Sequence, residues 1–294
     1  MTDIFPFLGL LSAFWWSASG GLLKSVKINT VLIYPFAESV ISLFVVVLLS
    51  AIGMHWVTFF EYSLETYLYL FGGSVVTMLG TLCYVAGIRK ISLGIFFTIS
   101  TSVVMILTIL LDHFFNQISL NQNMIVGAFL IVVGIIIING LPFVRTSIKS
   151  INTNYFAGIV ISIFTGVFWS SGIFMNDRGL IESGVLFSTF SRTVVPAFLL
   201  GIILFIKKPI KVKQITVSDR KLILAAAVCT TIAMLCWHLS LKSNSASLTV
   251  ILSSTSPVFA ILIGLVFYNE KLKLNQIIGI VFCLIGTFTI LLNR

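Results

Sequence analysis

Apolar positions in this chain fall into long runs separated by short polar breaks, and each run approaches the length of a bilayer crossing. A hydrocarbon core of about 30 Å needs about twenty helical residues at about 1.5 Å each. On that measure the runs place ten helical spans, at 4–23, 30–53, 66–88, 93–112, 123–141, 155–175, 184–206, 222–241, 246–267 and 275–292. Connections are short except at 54–65, 142–154 and 206–221. The predicted fold class is all-α integral membrane, with ten transmembrane helices.

The polar positions inside the runs repeat. Shifted by 153, Trp16-Ser17 falls on Trp169-Ser170, Leu82-Cys83-Tyr84 on Leu235-Cys236-Trp237, and Arg89 on Lys242. Shifted by 154, Phe36 and Glu38 fall on Phe190 and Arg192, and Leu120-Asn121-Gln122 falls on Leu274-Asn275-Gln276. After a two-residue gap Gly127 and Gly134 meet Gly279 and Gly286. The expected organisation is a first five-helix repeat over 1–141, a linker over 142–154 and a second repeat over 155–294. Five crossings per half make the second half enter from the opposite side, so the repeats are inverted, as in transporters that alternate access around a midplane site.

Composition agrees with the pattern: 58% of residues are apolar and 9% charged, against about 25% charged in soluble domains. The net charge of +9 would suggest nucleic acid in a soluble protein; here the basic residues sit between spans and report topology, so no nucleic-acid partner is expected. Fourteen of the eighteen lie on one side, among them Lys24, Lys27, Arg89, Lys90, Arg145, Lys149, Lys207, Lys211 and Lys271. Only Arg178, Lys242 and Arg294 lie on the other. The basic side is then cytoplasmic and both termini extracytoplasmic in a multi-pass cell-membrane protein. Met1-Thr2-Asp3 lacks the basic start of a signal peptide, so the first span is expected to be retained. Cys83, Cys229, Cys236 and Cys283 all fall inside apolar runs without metal-ligand spacing, and read as inert thiols; no metal and no cofactor is expected. The chain shows no phosphate-binding lysine loop, no HExxH and no nucleophile with an obvious base, so it does not read as an enzyme.

The stretch Ser245–Gly279 carries a proline, Pro257, after Ser253-Ser254-Thr255-Ser256, then Glu270, then Asn275-Gln276-Ile277-Ile278-Gly279, with Gly286 beyond. This order resembles the last two helices of the drug/metabolite transporter superfamily, EamA type, and the length and span count resemble its ten-helix members. The resemblance implies a secondary active transporter of a small organic metabolite, with spans one, three, four, six, eight and nine around a central cavity. At the place of Glu38 that family more often has a basic residue.

Two ionisable residues sit deep in spans, Glu38 in the second and Arg192 in the seventh, each about nine residues or roughly 13 Å from its start. Entering from opposite faces, they reach similar depth. A charge there costs about 2.5–3.5 kcal/mol even on lenient scales, so each needs a partner or a watery cavity. They read as a zwitterion clamp or a proton-coupling carboxylate with its counter-charge, or else as structural charges between helices. By resemblance, Trp15, Trp16, Tyr84, Trp169, Trp237 and His238 form a polar-aromatic box on the cavity spans, suited to a cationic or planar ligand; otherwise they pack or mark interfaces. His238 also reads as a proton site or as a hydrogen-bonded interfacial histidine. Ser100, Thr101, Ser253 and Ser254 either line a pore or bond back to their own helices. A hydroxyl-rich patch beside Pro257 is where helical hydrogen bonding weakens.

The expected function is secondary active transport of an amino acid or related amine, with export favoured. The alternatives are uptake of a quaternary-ammonium or nucleotide-like metabolite, and a non-transporting scaffold or lipid-handling subunit. The expected partners are the small-molecule substrate, membrane lipid and, as one alternative, a second copy: Gly127 and Gly134 in span five and Gly279 and Gly286 in span ten lie seven apart on one face, and pack closely against either neighbouring helices or a second copy through spans five and ten.

Overall fold

The computed structural model describes residues 5–26, 31–53, 57–87, 90–91, 93–117, 121–139, 153–207, 215–268 and 274–292. Its helices are α1 (Phe5–Lys24), α2 (Ile33–Ile52), α3 (Leu64–Gly87), α4 (Leu93–Phe115), α5 (Gln122–Asn139) and α6 (Thr153–Leu180). They continue with α7 (Val185–Lys207), α8 (Val217–Ser243), α9 (Ala246–Ser253), α10 (Ser256–Tyr268) and α11 (Leu274–Leu292). A 3₁₀ turn at Val57–Phe60 precedes α3, and no strand occurs among the described residues. Among the described residues six stretches are long and apolar enough to cross a membrane: Ile33–Ile52, Leu64–Gly87, Tyr155–Leu180, Val185–Lys207, Val217–Ser243 and Ala246–Val266. Shorter apolar helices at Phe7–Leu23, Ile99–Phe115, Gln122–Ile138 and Leu274–Ile290 pack among them.

The span expected at 246–267 is broken in the structure. Val250 O takes both the Ser254 N–H and the Ser254 hydroxyl, each at 2.8 Å, and the Thr255 hydroxyl turns to Leu252 O at 2.7 Å. Pro257 has no N–H to carry the ladder through, so the chain turns and restarts as α10. Elsewhere helices run past the apolar runs. α8 begins at Val217 because Thr216 caps it, accepting from Asp219 N–H at 3.1 Å and donating its own hydroxyl to the Asp219 carboxylate at 2.9 Å. Of the linker expected at 142–154, residues 142–152 lie outside the described residues while 153 and 154 open α6, and the hairpin 269–273 with Glu270 also lies outside them.

The interior holds small hydroxyl residues, such as Ser42, Ser162, Thr165 and Ser170, while large apolar side chains such as Phe44, Phe129, Phe198 and Phe288 face outward. That is the arrangement lipid permits, because hydrocarbon outside removes the drive to bury apolar bulk and leaves close packing of small groups to hold helices together. α5 and α11 show it directly. A methyl group on Gly127 would stand 2.7 Å from Gly286 O, and one on Gly134 2.7 Å from Gly279 O. The glycine faces of these two helices therefore pack against one another within one chain.

The other main pairings are α3 with α6 and α7, α1 with α8, α9 and α10, α2 with α7 and α8, and α4 with α6 and α9. These surround a central space.

Candidate transport cavity

The space is a cavity of about 430 Å³ walled by most of the helices. α1 contributes Trp16, Ser17 and Ser19, α2 Tyr34 and Glu38, α3 Thr77, Thr81 and Tyr84, α4 Thr101, α6 Trp169, α7 Arg192, and α8 Thr230 and Trp237. The broken span adds Ser253, Ser254, Ser256 and Pro257, so the turn between α9 and α10 is itself part of the wall. One end of the cavity reaches Leu23, Ile138, Gly264 and Gln276, residues close to the helix ends that meet the basic loops.

The opposite end is closed. Trp237 packs with Leu180, Leu241 and Ala246 beneath it, with Trp16 and Ile173 against that group. Beyond this plug, toward the helix ends, lies a polar layer. The buried Asp112 of α4 accepts the Ser247 N–H of α9 at 2.7 Å and also the Ser247 hydroxyl. Asn116 bridges two carboxylates, donating to Asp112 Oδ1 at 2.8 Å and Asp177 Oδ2 at 3.1 Å. Arg178 donates to Phe115 O, and the Lys242 ammonium caps the end of α6 through Leu180 O, Ile181 O and Ser183 O. At the surface of this end, Glu182 accepts the Ser63 and Thr66 hydroxyls, both at 2.7 Å, and these bonds hold its carboxyl below the ordinary glutamate range.

Within the cavity Glu38 and Arg192 face the same space and lie within electrostatic reach of one another. The Arg192 guanidinium stands 5.4 Å from the Trp237 ring centroid. Trp16 approaches Trp237 at 6.4 Å, and Tyr84 approaches Trp169 at 5.6 Å, giving two aromatic pairs, each joining the two halves of the sequence. Beside Glu38, three hydroxyls close a ring: Ser19 to Tyr34 at 3.0 Å, Tyr34 to Thr230 at 2.8 Å, and Thr230 to Ser19 at 2.7 Å.

Of the residues the sequence singled out, Trp16, Tyr84, Thr101, Trp169, Trp237, Ser253, Ser254, Glu38 and Arg192 line this cavity. Trp15, Ser100 and His238 are turned elsewhere. Trp15 sits edge-on to Phe14 at 5.3 Å. Ser100 is buried, bonding back to Phe96 O at 2.9 Å where α4 meets α6. His238 is fully buried between α8 and α7, its Nδ1 2.9 Å from Met234 O and 3.3 Å from Thr189 Oγ1. Each is the immediate neighbour of a lining residue, and about 100° of helical rotation separates the two. Sequence reasoning missed Ser19, Tyr34, Thr77, Thr81 and Thr230. The one signal they offer is polarity inside an apolar run.

Residues 156–292 match the EamA-like transporter family. An uncharacterized protein of Methanocaldococcus jannaschii is 31% identical over 131 residues, which is 44% of this chain and 91% of that protein. A protein crystal structure superposes with a TM-score of 0.79 at 15% identity, covering 99% of this chain and 98% of the other, so the fold is shared end to end. With its multiple apolar helices around a central cavity, the chain belongs to the EamA-like transporter family, part of the drug/metabolite transporter superfamily.

Proposed function

We propose that this protein is a secondary active transporter that carries an amino acid or related amine across the cell membrane by alternating access. The observation that carries the reading is the presence of Glu38 and Arg192, opposite charges, on the wall of one cavity that reaches one end of the bundle and is plugged at the other. Arg192 suits a carboxylate, Glu38 an ammonium, and the aromatic pairs suit the organic remainder. Ten crossings in two inverted repeats supply the motion. Exchanging α1 with α6, α2 with α7, α3 with α8, α4 with α9–α10 and α5 with α11 carries α3–α6 onto α1–α8, α4–α6 onto α1–α9 and α2–α8 onto α3–α7. The glycine contacts obey the same exchange, Gly127 with Gly286 becoming Gly279 with Gly134. A relative whose near-whole length matches 44% of this chain supports one half as the structural unit.

On this reading the mouth lies on the basic, cytoplasmic side, both termini are extracytoplasmic, and the direction is export. Purified protein in proteoliposomes should exchange labelled amino acid across the membrane, with Glu38→Gln and Arg192→Gln losing exchange. Full exchange in both variants would remove the two charges from the mechanism, and no flux of any amine or amino acid would favour a scaffold.

A further inference from the structure

Behind Glu38 the central cavity has a side recess of about 40 Å³, shared by α2, α3, α7 and α8. That is enough to admit a small polar group such as a water or an ammonium head. Its polar wall is the Glu38 carboxylate, Arg192 and six hydroxyls, Ser39, Ser42, Ser74, Thr77, Thr81 and Thr193.

A hydroxyl owns one proton and two lone pairs, so the bond its proton makes decides what it shows to a ligand. Ser39 donates to Pro35 O at 2.7 Å, Ser74 to Leu70 O at 2.6 Å, Thr77 to Gly73 O at 2.8 Å and Thr81 to Thr77 O at 3.1 Å. Thr193 donates to Thr189 O at 3.0 Å. Thr231 gives its proton to Ala227 O, so in the 2.7 Å contact between Ser42 and Thr231 the donor is Ser42. All six protons are thus committed to the protein, and the hydroxyls offer lone pairs beside a carboxylate that only accepts. Arg192 is the cationic part of this wall, and its guanidinium stands over Trp237, a ring that borders the main cavity and not the recess.

Building on the transport reading of the cavity, we infer that the recess is the seat of the substrate's primary ammonium group, and that the protein selects substrates whose nitrogen keeps its N–H bonds against fully alkylated ammonium. Chemistry excludes the competitor, because a trimethylammonium group has no proton for any of these lone pairs. The main cavity, with Trp16, Trp169 and Trp237, then takes the rest of the molecule.

The test is binding to the purified full-length protein, read as ligand-dependent thermal shift and confirmed by equilibrium binding. The probes are the common L-amino acids, then the N,N,N-trimethyl derivative of each one that binds, then sodium chloride against choline chloride without organic ligand. Trimethylation is expected to weaken binding at least about tenfold, the loss of one charge-assisted hydrogen bond or more. Ser74→Ala, which touches the recess but not the main cavity, is expected to weaken the amino acid severalfold and leave any residual betaine binding unchanged. A betaine that binds as tightly as its parent overturns the inference while leaving transport standing. Sodium that stabilises the protein where no amine does also overturns it, making the recess a metal-cation seat. If no probe of either class binds, the transport reading fails and the inference fails with it.

Discussion

Replacing Asp112 with asparagine tests how the closed end is held. The carboxylate serves three donors, the Ser247 N–H, the Ser247 hydroxyl and Asn116, and so ties α4 to the start of α9. An amide of the same shape keeps one acceptor oxygen and turns an NH₂ toward groups that are themselves donors. At least one bond to a charged acceptor is lost, a change of about 1.5–3 kcal/mol, or roughly ten- to a hundredfold in a two-state equilibrium. Asp112 sits on the closing contact and not on the cavity wall, so the loss falls on the conformation closed at this end. The assay is labelling of a single cysteine at Ser254, on the wall, in a chain cleared of its own four cysteines, by an impermeant thiol reagent in right-side-out and in inside-out vesicles. Asp112→Asn should raise the labelling rate from the closed end about tenfold or more and lower it from the mouth. Unchanged rates from both sides, with the variant folded and abundant, would refute the assignment of this layer as the gate.

Three further outcomes follow from the same structure. Glu38→Gln or Arg192→Gln alone strands the other charge and should lower stability by up to about 3–5 kcal/mol, the double variant losing less than either single one when melting is compared in one detergent; equal losses that simply add would mean the two do not interact. Gly134→Ala puts a methyl 2.7 Å from Gly279 O and should lower the melting temperature by an overpacking cost of about 1–3 kcal/mol, whereas Gly184→Ala, with nothing within 4 Å, should leave it unchanged. The Glu182 carboxyl is held below its ordinary range by Ser63 and Thr66, so its contribution is present above the unfolded value and fades as pH falls through the lower folded one; the advantage of the wild type over Glu182→Gln in melting temperature should therefore shrink on going from about pH 7 to about pH 3.

That the chain is built of apolar, membrane-crossing helices was legible in the sequence, because crossing a bilayer demands length and apolarity, and both are properties of single stretches. The weakened ladder beside Pro257 was legible for a similar reason, since a missing N–H and a cluster of hydroxyls act within a few residues, but the break that splits the span expected at 246–267 into two helices was not. Rotation about each helix axis was not. Trp15 and Trp16, Ser100 and Thr101, and Trp237 and His238 were paired neighbours in the reading, and in each pair the structure turns one residue to the cavity and one away. A soluble helix announces its inner face by a stripe of apolar positions, but a span between lipid and other helices is apolar all round and carries no such stripe. What fixes rotation is the set of polar groups that lipid cannot satisfy, and these find partners far away in sequence: Tyr34 with Thr230, Ser42 with Thr231, Asp112 with Ser247. The first two pairs join α2 to α8, and they set the wall from which Glu38 faces Arg192. The third joins α4 to α9 at the plugged end. The polar residues that hold the helices in register and those that form the cavity are thus drawn from the same scarce set, so any motion that opens the closed end must exchange some of these bonds, and the exchange is where the energy of transport would be felt.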